Sequence, residues 1–168
     1  MSSSINFKNI LVVGVGLIGG SIIRALKESS FSGGVFGMDN DKKAVTSAYD
    51  LGFIQNKDTN ISKDLDDLLV IFSVPVLSFQ EAMSQINIMI NTENVIYTDT
   101  LSVKSSILNT LKTLDRTVLE RFVLSHPIAG SEQSGFKASS ATLFKQKLSI
   151  ICPHEDNSEL DVSKVEEF

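Results

Sequence analysis

Tryptophan is absent from this 168-residue chain, cysteine occurs once, histidine twice and proline three times. One cysteine, Cys152, rules out an internal disulfide framework and suits a reducing compartment. No apolar run approaches the roughly 20 residues that a membrane-spanning helix needs. Basic charge is also scarce: 15 Lys+Arg stand against 20 Asp+Glu, a net charge of −5. No stretch interleaves basic and aromatic residues, so neither a nucleic acid nor a membrane is expected as a partner. The apolar start NILVVGVGLIGGSII has no basic leader and no cleavage site, and Arg24 closes it, unlike a secretory signal. A cytoplasmic location is expected. With 42% hydrophobic and 21% charged residues, the composition is that of one globular domain with a real core.

Short apolar runs alternate with segments of helical period along the whole chain. The runs cover 9–13, 35–38, 68–74, 94–98, 121–125 and 148–152. Most are continuously apolar, as strands covered on both faces are. Between them, Ile18, Ile22, Ala25 and Leu26 share a helical face, as do Ala44, Val45, Ala48 and Leu51, and again Val103, Ile107, Leu111 and Leu114. Gly52 stands where a helix would be capped. This rhythm predicts a doubly wound, mostly parallel α/β sheet with helices on both faces. Pro75, Pro127 and Pro153 each follow a predicted strand, where a residue without an N–H ends pairing. In a parallel sheet Pro75 and His126-Pro127 lie at carboxyl ends, the rim where such folds bind ligands. Periodicity alone favours a histidine that merely ends a strand at the surface.

The segment GVGLIGG sets Gly14, Gly16 and Gly19 in the G-x-G-x-x-G pattern, between a strand and an amphipathic helix that Leu17 and Ile18 open. Asp39 follows Gly19 by twenty residues, at the end of the second strand. In this context the pattern predicts a Rossmann-type dinucleotide site. Gly14 makes the tight turn, Gly16 admits a pyrophosphate to the backbone, and Gly19 lets helix and strand pack closely. The helix N-terminus, where Leu17 and Ile18 are assigned to the cofactor, offers free N–H groups and a positive dipole end to the phosphates. Asp39 accepts from a ribose 2′-hydroxyl and repels a 2′-phosphate, which favours NAD over NADP. In FSVPV, Ser73 and Val74 are expected to pass their backbone near the cofactor.

The segment YTDTLSVKSSI places Asp99, Thr100 and Ser102 between a strand and a helix. Ser102 fits a helix cap and, equally, a contact to an anionic ligand; Thr100 is assigned to the cofactor. Lys104 reads as a solvated lysine. A histidine beside a nicotinamide has a clear use, because hydride loss from a hydroxyl-bearing carbon needs a base for the hydroxyl proton. His126 is therefore the candidate base. His154 reads as an exposed loop histidine and Cys152 as an inert buried thiol, and no metal is expected.

Together GVGLIGGS, DTLSVKSSI and SHPIAGSEQSGFKASSATLF resemble the prephenate dehydrogenase family, in its order and spacing and over essentially the whole chain. The resemblance implies NAD-dependent oxidative decarboxylation of prephenate to 4-hydroxyphenylpyruvate, toward tyrosine, with arogenate as the sister substrate. It implies that His126 is catalytic and bonds the ring hydroxyl. It also implies that Ser102 positions substrate and nicotinamide, that Gly130 and Ser131 belong to the substrate loop, and that Glu132 lies at the site's polar edge. Members of the family continue into a helical domain that dimerises and supplies cationic contacts to the substrate. This chain stops at ELDVSKVEEF, a helix barely begun, and Arg24, Arg116 and Arg121 occupy no convincing rim loop. Residues 1–168 are thus expected to be a single NAD-binding domain without that helical domain. As such it would bind cofactor and turn over poorly, with a homodimer expected only of a longer parent. The rival reading is a non-catalytic NAD-binding or redox-sensing module, which would leave the His126 loop without a role. A β-hydroxyacid dehydrogenase would share the glycine loop and leave SHPIAGSEQSG unexplained.

Overall fold

The computed structural model describes residues 5–29, 31–58, 61–63, 65–91 and 94–168. Among them six strands form one sheet in the order β2-β1-β3-β4-β5-β6. These are β1 (Asn9–Val13), β2 (Gly34–Met38), β3 (Leu68–Phe72), β4 (Val95–Asp99), β5 (Phe122–Pro127) and β6 (Ser149–Cys152). The first five pair in parallel, and β6 runs antiparallel to β5. Strand alternation sends Leu11, Val70, Phe72, Tyr97 and Phe122 into one core, under helices α3 (Phe79–Met89), α4 (Lys104–Leu111) and α5 (Arg116–Glu120). Ile10, Val12, Leu69, Ile71 and Val123 enter the other, under α1 (Leu17–Glu28), α2 (Lys42–Asp50) and α6 (Glu159–Glu166). Burial on both faces is why the strands read as unbroken apolar runs. Each fully buried side chain of the Ile10 or Leu69 kind contributes about 1.5–3 kcal/mol.

Helix α2 ends as its glycine suggests. Gly52 takes a φ of +72°, its N–H reaches Tyr49 O at 2.8 Å and that of Phe53 reaches Ala48 O at 2.9 Å, the paired bonds of a Schellman end. Leu51, at the cap, and Val103, before α4, are exposed rather than on the buried faces assigned to them. A helical period extended one residue past a helix end misplaces that residue. Helix α3, with Phe79, Ala82, Met83 and Ile86 buried, escaped the periodicity reading, and α6 runs for two turns from its cap at Ser158.

The main departure concerns β5. It does not stop before His126-Pro127 but includes both, with His126 opposite Ile150 and Pro127 opposite Ser149. The missing N–H of Pro127 is tolerated because the next donor, Ile128 N–H, reaches Leu148 O at 2.8 Å. His126 is therefore held within the sheet's rim, one residue before its end. No helix among the described residues is long and apolar enough to cross a membrane.

Candidate functional site

In the sheet order β1 sits between β2 and β3. The chain leaves β1 toward one side and returns to the other, opening a crevice at their carboxyl ends, where such sheets hold ligands. Two of the three glycines of the motif have steric causes there. Gly14 has φ +98° and packs so that a Cβ would lie 2.6 Å from Ser73 O. A Cβ on Gly19 would overlap the Gly14 carbonyl and stand 2.8 Å from Val12 Cγ1. Gly16 faces open space, with nothing within 4 Å of a Cβ. It also occupies the N-cap of α1, where no side chain takes up the free N–H groups. The turn and the packing are thus closed, and the one position a bound anion would need is open.

Asp39 organises this crevice. Its Oδ2 accepts from Val15 N–H at 2.7 Å and its Oδ1 from Asp41 N–H at 2.7 Å, joining the glycine loop to the start of α2. Asp41, in turn, caps α2 by accepting from Lys43 N–H at 3.0 Å. Each Asp39 oxygen keeps further acceptor capacity. A cleft of about 250 Å³ collects Gly14, Gly16, Asp39, Ser73 and Val74. It adds Asn40, Ser78, Glu81 and Gln85, which sequence reasoning did not single out because the β2–α2 turn and α3 meet only in the fold. Leu17, Ile18 and Gly19 adjoin the cleft along the chain without lining it.

His126 lines neither this cleft nor the larger apolar groove described below, but a chain of contacts ties it to the cleft. Thr100 N–H reaches Phe72 O at 2.9 Å, and Thr100 Oγ1 donates to Ser73 Oγ at 3.2 Å. The Thr100 carbonyl stands 2.9 Å from His126 Nδ1. A carbonyl only accepts, so Nδ1 carries a proton, and in the neutral ring Nε2 then presents its lone pair, the form a base requires. Ser102 is exposed and is not the cap of α4; Val103 holds that place without a side-chain bond. Gly130, Ser131 and Glu132 are exposed on the loop after β5. Nothing lies within 4 Å of a Gly130 Cβ, and Ser131 Oγ accepts from Gln133 N–H at 3.1 Å.

That loop is fastened to α1. The Arg24 guanidinium lies over the rings of Phe53 and Phe136, 4.5 and 4.7 Å from their centroids, and Nε donates to Ser139 Oγ at 2.7 Å. Gly20 provides the room, since a Cβ there would meet Phe136 at 2.8 Å. Arg24 is thus a brace rather than a rim cation. An apolar groove of about 330 Å³ runs between α1 and α6 over the sheet, with Thr98, Thr100, Ser125 and Pro127 along its lining.

Three sequence readings change. Lys104 is not a solvated lysine: its side chain is 19% exposed and paired with the buried Asp99. His154 is not an exposed loop residue: its side chain is 9% exposed, and Nε2–H donates to Phe122 O at 3.0 Å. Cys152 is half-buried against the core. Among the described residues no cluster of His, Cys, Asp and Glu is arranged to hold a metal.

A mostly parallel sheet with a glycine turn at its switch point and an acidic residue just after β2 defines an α/β domain of the Rossmann type. The family model described as prephenate dehydrogenase, nucleotide-binding domain, matches residues 22–168. The chain belongs to the prephenate dehydrogenase family, as its nucleotide-binding domain. The prephenate dehydrogenase of Lactococcus lactis subsp. cremoris is 29% identical over 153 residues, 91% of this chain and 42% of that protein. The cyclohexadienyl dehydrogenase of Zymomonas mobilis is 33% identical over 152 residues, 88% of this chain and 50% of that protein. Among solved structures, prephenate dehydrogenase from A. aeolicus in complex with hydroxyphenyl propionate and NAD+ superposes with a TM-score of 0.84 at 31% identity. It is matched over 97% of this chain and 56% of its own. Synechocystis arogenate dehydrogenase, with a TM-score of 0.80 at 19% identity over 94% of this chain and 54% of its own, shows the shared fold. The chain spans about half the length of the curated relatives it matches.

Proposed function

We propose that residues 1–168 form the cofactor domain of an NAD-dependent prephenate dehydrogenase, and that His126 is its base. The observation that carries this reading is the continuous set of contacts from the glycine crevice through Ser73 and Thr100 to His126, with the imidazole proton on Nδ1. The residues suit the cofactor: Gly16 is open, the α1 N-terminus is uncapped, and Asp39 keeps acceptor capacity for a ribose hydroxyl. Bound NAD+ supplies a hydride acceptor.

The chain's own part is alignment and proton handling. His126 Nε2 takes the proton of the ring hydroxyl as the hydride leaves the same carbon, so the C–O bond becomes a carbonyl. The ring carboxylate then departs as CO2, and its bonding electrons complete an aromatic ring whose oxygen regains a proton. Prephenate and NAD+ thus yield 4-hydroxyphenylpyruvate, CO2 and NADH. Ser102, exposed before α4, and Gly130, Ser131 and Glu132 are assigned to the substrate side. The family resemblance implies a second, helical domain that completes the substrate site and forms a homodimer, and both are part of this proposal.

The test is absorbance at the reduced-nicotinamide band with prephenate and arogenate supplied in turn, on this chain and on a catalytically complete protein. Rapid reduction with prephenate by the complete protein, and slow reduction by the chain alone, is the expected result. Reduction with arogenate only would overturn the substrate assignment. NAD binding without reduction by either would make this a non-catalytic binding module.

A further inference from the structure

Asp99 ends β4 with its side chain fully buried, a costly place for a charge unless it is paired and hydrogen-bonded. Both oxygens are engaged. Oδ2 accepts from Leu101 N–H at 2.9 Å and from the Lys104 ammonium, and Oδ1 accepts from Ser125 N–H at 3.2 Å. The Lys104 ammonium also donates to Ser125 O. Ser125 Oγ donates to the Asp99 carbonyl at 2.6 Å, and Thr98 Oγ1 donates to Ser125 Oγ at 3.0 Å. One ion pair therefore joins the carboxyl ends of β4 and β5.

Its placement around the base is specific. Thr100, whose carbonyl receives the His126 proton, lies between Asp99 and Leu101, both bound through the same carboxylate. His126 follows Ser125, whose N–H and carbonyl are both held by the pair. Acceptor and donor of the 2.9 Å bond between Thr100 O and His126 Nδ1 are each flanked by residues that the pair fixes. Burial pushes the Asp99 carboxyl up from its ordinary range, and the Lys104 charge is the largest force opposing that rise. Taking the ammonium away would leave a buried carboxylate that sheds its charge or draws in water, and the corner would lose a bond on each strand. Lys104 spends its charge on the strand ends, which gives it a role other than contact with the substrate carboxylates.

We propose that Lys104 is a positioning residue for His126, its ammonium bridging Asp99 and Ser125 so that the Thr100 carbonyl keeps the imidazole proton on Nδ1 and leaves Nε2 free. Its importance for turnover rests on the assignment of His126 as base; the geometric claim does not.

The tautomer is therefore the readout, by long-range 1H–15N NMR of the imidazoles in this chain, as wild type and as Lys104→Met. His154, fixed in the opposite tautomer by Phe122 O, serves as an internal control. The expected result is a His126 signal of the Nδ1–H form in the wild type and a shift in tautomer ratio toward Nε2–H of about fivefold in Lys104→Met, the ratio one ordinary hydrogen bond supports. His154 should not change, and Lys104→Arg should restore much of the wild-type ratio. Should Lys104→Met not fold, the double variant Asp99→Asn/Lys104→Met, which leaves no orphan charge, is read in its place with the same expectation. An unchanged His126 signal in a folded variant, or an equal change at His154, overturns the proposal. Loss of turnover in His126→Asn is a separate measurement, so failure of the base assignment and failure of the Lys104 assignment are told apart.

Discussion

In a catalytically complete protein, His126→Asn is expected to lower turnover by about 10²–10⁴-fold, the range associated with one general base, while NAD affinity stays within about twofold. The separation of the two effects follows from the geometry. His126 lines no part of the nucleotide cleft, so its loss leaves the phosphate and ribose contacts as they are. The Asn amide nitrogen can still donate to Thr100 O in place of Nδ1–H, which preserves the corner and removes only the basic nitrogen beyond it. Steady-state rates at the reduced-nicotinamide band, with calorimetric titration of NAD alongside, check both halves. Unchanged turnover would end the base assignment, and a large loss of NAD affinity would show that His126 shapes the cleft.

The second large effect is expected at Asp39. Asp39→Ala should weaken NAD binding by about 10–100-fold, the worth of hydrogen bonds to a charged acceptor, and should weaken NADP binding less. The comparison is needed because Asp39, proposed to hold the ribose, also has a structural task. It fastens the glycine loop through Val15 N–H and the α2 entry through Asp41 N–H, each at 2.7 Å, and losing those bonds harms any dinucleotide. Only the proposed ribose contact would distinguish the cofactors, since a 2′-phosphate would be repelled by the carboxylate. Titration of both cofactors against wild type and variant isolates that difference. An equal fold-loss for NAD and NADP would remove the ribose role and leave the loop role alone.

What the sequence showed plainly was local in cause. Gly14 and Gly19 are legible because a tight turn and a close packing each constrain the backbone within a few residues, whereas Gly16, in open space, is read from the motif alone. Gly52 is legible for the reason Gly14 is, since a positive φ at a helix end favours glycine. The unbroken apolar runs revealed strands covered on both faces, and with them the layered α/β order. What escaped the sequence was set by partners far along the chain. Pro127 suggested a strand end, and only the antiparallel approach of β6, with Ile128 N–H meeting Leu148 O, explains why pairing continues past it. Lys104 read as solvated because its cover comes from Ser125, brought beside Asp99 by the pairing of β4 with β5. His154 is likewise fixed by Phe122 O, 32 positions away. Ser102 looked like a cap by residue type, but the helix begins after Val103 and leaves the hydroxyl free of that task.

As a base, His126 must bring its unprotonated nitrogen to the pyridine ring of bound cofactor. Nuclear Overhauser contacts between the histidine ring protons and NAD, measured on this chain at saturation, test this most directly. Cross-peaks from the His126 imidazole to the nicotinamide protons, and none from His154, are the expected outcome. Saturated cofactor with no contact to His126, or with contacts to its adenine protons instead, would contradict it.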